Sequence, residues 1–422
     1  MRPFVLALLV FAGSVSAARA ADWPNQRGPL LTGGVAEGQP VPATLAETPK
    51  SLWKGKVGEG FAAPVVAGGK VYYLDLQNGQ EVVHAMQSAT AKPLWEANLD
   101  APHKDGFGTG PRCAPVSDGK LVFAQSCKGQ LSCFTAEGGK PVWAVNYVKD
   151  FAAIYTGEKG DAKGGSRHGY TASPVLDGEF LYALASGKGA GVVCFEKTTG
   201  KVVWKSQDDQ AAYSPPVIAT IAGVKQLVCF TVQGALGLAV KDGALLWRVP
   251  LSTDYGRHVM APIVHGDLVL VGSHQVGMVA TRIVAKDGAL TALNVWTRKE
   301  LGCNFSSPVA IGDYLYGLFP SKKVACVEIA SGKTAWEQDG VVTSSADKGF
   351  AAFIAMGKNV LTLNDTGELI LFAADPAAFA QVSRVQVCGN NWCHPAYADG
   401  VLYLRDHKQL MAVELVAVTK KK

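Results

Sequence analysis

A unit of about 47 residues recurs along the whole chain, and this repetition restricts the fold more than any other feature. Each unit opens with a small residue, a proline, an apolar pair, a glycine turn and an apolar strand. It reads AAPVVAGGKVYYL at 62–74, CAPVSDGKLVFA at 113–124, ASPVLDGEFLYAL at 172–184, MAPIVHGDLVLV at 260–271, SSPVAIGDYLYGL at 306–318 and HPAYADGVLYL at 394–404. Pro215-Pro216-Val217 and the weaker AAFIAMGKNVLTL at 351–363 complete the set, with anchors at 64, 115, 174, 216, 262, 308, 353 and 395. The second half of most units passes through a turn such as EKTTGKVVW or EIASGKTAW and ends in a tryptophan: Trp95, Trp143, Trp204, Trp247, Trp296 and Trp336.

Apolar runs of four to eight residues between Gly, Asp and Asn turns are strands, and no stretch carries a sustained helical period. A lone four-stranded sheet cannot bury both faces; radial packing of such sheets can. The sequence therefore predicts an all-β, eight-bladed propeller of four-stranded antiparallel blades. The last unit has only three strands, whereas an orphan strand, SLWKGKV at 51–57, precedes the first unit. Pairing of the two closes the ring. The tryptophans are expected between neighbouring blades. Cys133, Cys194 and Cys326 each lie ten residues before a tryptophan, which marks a recurring small packing site rather than a redox site. Hydrophobic residues make up 48% and charged residues 18%, enough for a large core and unlike a disordered chain.

The first residues read as an export leader: Arg2, the apolar stretch 4–11, and Ala18-Arg19-Ala20 as a small-x-small cleavage site, so the mature chain begins at Ala21. That apolar stretch is too short to span a bilayer and no longer one follows. No cysteine near the cleavage site offers a lipid anchor. Of the formal charge of +5, Arg2 and Arg19 leave with the leader, and Lys420, Lys421 and Lys422 form a tail, so the body is neutral. A neutral body makes nucleic acid a poor partner. The expected organisation is a leader at 1–20, an N-terminal segment at 21–50, the propeller at 51–416 and a basic tail at 417–422.

The Pro-Val and Gly-Asp-x-Leu-Tyr strands, the Thr-Gly-Lys-x-x-Trp turns and the start DWPNQRGP at 22–29 resemble the pyrroloquinoline-quinone (PQQ)-like repeat family, also called quinoprotein or Trp-docking propellers. The resemblance covers nearly all of the mature chain. It implies either a PQQ-dependent dehydrogenase of small alcohols or sugars, using PQQ with Ca²⁺, or a non-catalytic propeller that binds an envelope protein or polymer. Such dehydrogenases carry a vicinal Cys-Cys pair, which this chain lacks. Their Glu/Asn/Asp metal set and catalytic Asp do not map onto it residue by residue. The family's outer-membrane assembly scaffolds are lipoproteins. The preferred reading is an exported, periplasmic or secreted, non-catalytic binding or scaffolding module.

The start of each innermost strand faces the axis of a propeller. Three residues before each anchor stand Phe61, Arg112, Thr171, Tyr213, Val259, Phe305, Phe350 and Trp392, and just upstream lie Arg167, His168, Tyr170, Arg257, His258, Asn304 and Asn391. From these, Arg112, Arg167, His168, Tyr213, Arg257, His258, Asn304 and Trp392 form the candidate site at the channel mouth. An aromatic ring with several cations suits a planar or anionic ligand; the alternative is that the aromatics plug the channel. The long Gly-rich connection 147–169 either covers this mouth or is a mobile loop. Cys388 and Cys393 with His394 form a C-x4-C-H string, which is better read as the ordinary strand start than as a haem site, and which admits a local disulfide. His103, His265, His274 and His407 are expected to be solvated. No G-x-S-x-G, H-E-x-x-H or zinc spacing occurs.

Overall fold

A computed structural model of the chain describes residues 22–320, 322–343 and 349–417. The expected leader at 1–20 and the three tail lysines lie outside the described residues. Eight four-stranded antiparallel sheets form a ring, an eight-bladed β-propeller. Blade 1 shows the pattern. Val65–Ala67 lies innermost, Lys70–Gln77 and Gln80–Gln87 follow, and Pro93–Asp100 lies outermost. The remaining blades occupy 116–146, 175–206, 217–250, 263–298, 309–338 and 351–386, and the eighth takes 396–414 with the orphan strand. Middle strands are buried on both faces, as Gly234–Ala239 is throughout, because a blade has a neighbour on each side. Outer strands such as Pro93–Asp100 alternate between exposed and half-buried positions.

Each tryptophan of an outer strand sits opposite a small residue. Cys133 pairs with Trp143, Cys194 with Trp204 and Cys326 with Trp336. Ala85, Gly237 and Ala280 take the same place opposite Trp95, Trp247 and Trp296. The ten-residue spacing is therefore a cross-strand pair, and burial pushes the Cys133 and Cys194 thiols up to about 12. Immediately after each pair the register slips by one residue, a bulge that increases local twist and re-aims side chains. Six indoles donate to a main-chain carbonyl of the next blade: Trp53 to Ser88, Trp95 to Ala136, Trp143 to Lys197, Trp204 to Val240, Trp296 to Ile329 and Trp336 to Asp375, at 2.7–3.1 Å. The Thr-Gly-Lys turn explains itself here. A Cβ on Gly200, which has φ +71°, would lie 2.5 Å from the Trp143 ring, and Gly139 meets Trp95 in the same way.

Two joints use other means. Trp247 donates to Gln226 of its own blade, and Leu246 and Val249 of blade 4 and Leu290 and Ala292 of blade 5 pack around one buried cluster shared by the two blades. The outer strand of blade 7 carries no tryptophan, and the N-terminal segment covers the joint between blades 7 and 8. Gly33 and Val35 exchange main-chain bonds with Ala355, the Leu45 amide donates to the Ser383 hydroxyl, and Tyr397 donates to the Pro40 carbonyl. All nine cysteines are free thiols, so the disulfide admitted at Cys388 and Cys393 is not formed.

The ring closes through Lys50–Lys56, which pairs antiparallel with Gln409–Glu414, Lys50 opposite Glu414 and Lys56 opposite Gln409. Trp53 packs 6.0 Å from Tyr403 across this seam. Removing residues through Val57 from the mature chain deletes this strand and bares the edge of Gln409–Glu414, an aggregation liability. Loss of the half-buried Trp53 adds a cost on the order of 2 kcal/mol, a sizeable part of an ordinary domain's 5–15 kcal/mol. Thermal melts and size-exclusion chromatography should show a sharply lower Tm and loss of soluble monomer. Removing only Lys420, Lys421 and Lys422 should leave both unchanged.

Candidate functional site

Side chains alternate along a strand, so residues three and one before each anchor both point to the axis. The first set is the expected ring, and all eight of its members line one axial cavity of ≈ 180 Å³. The second set reads Ala63, Ala114, Ser173, Pro215, Ala261, Ser307, Ala352 and His394, and it is small apart from Pro215 and His394. Of this second set, Ala63, Pro215, Ser307 and His394 complete the cavity wall.

The aromatic tier packs on itself. Phe305 stacks on Trp392 at 5.5 Å, and Phe61 lies 6.3 Å from Trp392. Phe107 lies across them, 6.1 Å from Phe305 and 5.4 Å from His168. It comes from a hairpin of Lys104–Asp105 and Gly108–Thr109 between blades 1 and 2. No periodic pattern marks this hairpin.

The same hairpin carries Asp105, which organises the mouth. Its fully buried carboxylate takes a bidentate pair from Arg112 at 2.5 and 2.6 Å, a bond from His168 Nδ1 at 2.9 Å and one from His103 Nε2 at 2.9 Å. Burial alone would raise the pKa of Asp105. Hydrogen bonds from His103, His168 and Arg112 outweigh it and hold the carboxyl far below the usual carboxylate range, while Arg112 is raised in turn. The geometry assigns tautomers. His103 accepts at Nδ1 from the Tyr155 hydroxyl and donates from Nε2. His168 donates from Nδ1 and accepts at Nε2 from the Arg167 guanidinium. His103 is therefore a buried member of this network, contrary to the solvated position expected for it. Of the others, His407 is exposed as expected, whereas His265 and His274 are only partly exposed.

The connection 147–169 is ordered over the mouth. It holds two short helices, Tyr147–Phe151 and Gly165–His168. Thr156 and Gly157 bond to the Ser166 carbonyl, and Glu158 accepts from the Gly106 amide of the hairpin. It delivers His168 to the cavity. Arg167 stays outside the cavity, stacked 4.6 Å from the Tyr255 ring.

Of the candidate residues, Arg112, His168, Tyr213, Arg257 and Trp392 line the cavity, and Arg167, His258 and Asn304 do not. His258 is buried against Phe230 at 4.2 Å and bonds to the Thr231 carbonyl; burial pulls its pKa down to about 4. Asn304 lines a separate cleft of ≈ 20 Å³. Arg257 lies over the Phe305 ring at 6.0 Å. The floor of the cavity comes from Gln26 and Arg27 in the N-terminal segment, residues within the DWPNQRGP start that no repeat pattern places on the axis.

The lining contains arginines and histidines and no carboxylate, and both oxygens of nearby Asp105 are already engaged. Ca²⁺ requires several oxygen ligands, carboxylates among them, so these residues do not fit a PQQ–calcium pair.

A family model described as "Outer membrane protein assembly factor BamB" matches residues 79–338. Curated relatives with that name come from Burkholderia pseudomallei, 24% identical over 279 residues, and Yersinia pestis, 24% identical over 275 residues. The first match covers 64% of this chain and the second 61%, and each spans 65% of the relative's own length. Among solved structures, BamB from Moraxella catarrhalis superposes with TM-score 0.59 at 12% identity, over 87% of this chain and all of that one. Quinohemoprotein alcohol dehydrogenase from Comamonas testosteroni superposes with TM-score 0.52 at 14% identity, over 97% of this chain and 82% of that one. At these identities the likeness is one of fold.

The mouth makes two predictions. Asp105→Asn strands the buried Arg112 charge and should cost on the order of 3 kcal/mol in chemical denaturation at neutral pH. Behind His103, the fully buried Glu81 accepts from the His103 amide while its Oε2 has no partner. Burial pushes its pKa up from 4.5 to about 7. A raised carboxyl contributes stability that is fully present below its unfolded value and is lost as pH rises through the folded one. Unfolding free energy should therefore fall by about 3 kcal/mol between pH 4.5 and 7 through this group, and Glu81→Gln should flatten that slope.

Proposed function

Since the chain belongs to the BamB family of PQQ-like propellers, we propose that it is a non-catalytic scaffold of the cell envelope that binds another envelope protein. The observation that carries this reading is the family match over 79–338, joined to the name that the curated relatives bear. In this reading the leader at 1–20 exports the chain to the periplasm, the segment 21–50 and the ring at 51–416 act as one unit, and the indole-to-carbonyl links are the family's docking repeat.

The test is capture from an envelope extract of the source organism with tagged mature protein, and a heat-unfolded sample as control. A stoichiometric protein partner that survives washing at 0.15 M salt, on the order of physiological ionic strength, is the expected result. Absence of any partner would overturn the reading. The dehydrogenase alternative has its own measurement. Reconstitution with PQQ and Ca²⁺ should give no cofactor-dependent dye reduction across an alcohol and sugar panel, since the cavity lining offers the metal no carboxylate.

A further inference from the structure

The polar end of the axial cavity has a charge with nothing to balance it. Arg27 is 3% exposed. Its Nη2 donates to the carbonyls of Thr32 and Pro308, and its Nε has no partner. It forms no ion pair among the described residues, and burial pulls its pKa down to about 10. Arg257, also in the lining, is likewise without an acidic partner. Arg112 is the exception, being neutralised by Asp105. An unpaired buried guanidinium is costly, and a carboxylate offers the matching pair of acceptors.

The walls specify the rest of the ligand. Above the small tier stand Phe61, Phe305 and Trp392, which present ring faces and edges. The ≈ 180 Å³ of space is close to the roughly 150 Å³ apolar cavity that accepts benzene. A single aromatic ring matches that space. We propose that the axial cavity binds a small aromatic monocarboxylate, its carboxylate towards Arg27 and its ring within the aromatic tier. This site is on the axis and does not depend on the protein-binding reading, so either can fail alone.

Isothermal titration of the full mature protein with phenylacetate, 2-phenylethanol and acetate tests it. Phenylacetate should bind saturably, at least ten-fold more tightly than either control. Arg257→Gln should weaken phenylacetate several-fold and leave 2-phenylethanol unchanged. Arg27→Gln should erase the preference for the acid. Because Arg27 also holds the fold through Pro308, Ala63→Leu, which fills the lower tier, serves as a second variant and should abolish binding in a protein that still melts cooperatively. Equal affinity for phenylacetate and 2-phenylethanol, no binding of phenylacetate, or unchanged affinity in folded Arg257→Gln and Ala63→Leu would each overturn the proposal.

Discussion

An indole N–H donating across a blade boundary recurs six times around this ring, and the other features of the repeat are arranged to permit it. The bulge before each tryptophan turns the ring out of its own sheet. The small residue opposite, Cys133 or Ala85 for example, leaves room for the turn. The next blade supplies a glycine where any Cβ would strike the indole. A polar atom buried between two sheets needs a partner, so the link also fixes the angle between sheets. Where it is missing, between blades 4 and 5 and between blades 7 and 8, a long apolar hairpin and the N-terminal segment take its place.

Periodicity made most of this readable in advance. Strand alternation, the anchor spacing and the orphan SLWKGKV identify the ring, its blade number and its closure. The bulges are not readable, since a one-residue slip leaves no mark on an apolar pattern. The axial ring was readable for the same reason as the strands: register places position three before each anchor on the axis. The same alternation explains why His258 and Asn304, four before their anchors, turn away from it, while Arg257, five before, returns.

What periodicity does not describe, it cannot place. Asp105 and Phe107 lie on a hairpin between blades, and Arg27 lies ahead of the first blade. His103 looked like an isolated loop histidine because nothing local reveals that Asp105, two residues on, folds back onto it. The consequence is an uneven axis. At the mouth Asp105 holds Arg112, His103 and His168, whereas at the floor no carboxylate meets Arg27 among the described residues. The family likeness describes the frame and is silent about this polarity.

The pairing of Lys50–Lys56 with Gln409–Glu414 joins residues more than 350 positions apart, and this separation governs how the molecule comes into being. Contacts between distant segments carry a loop-closure entropy that must be met before they yield anything. A chain that emerges N-terminus first keeps its opening strand unmatched until the last blade has appeared. Intermediate blades stack in order as they arrive, but the ring locks in a single late step. For most of its biogenesis the protein is an open arc with two bare sheet edges, and its vulnerability to misassembly is concentrated in that interval.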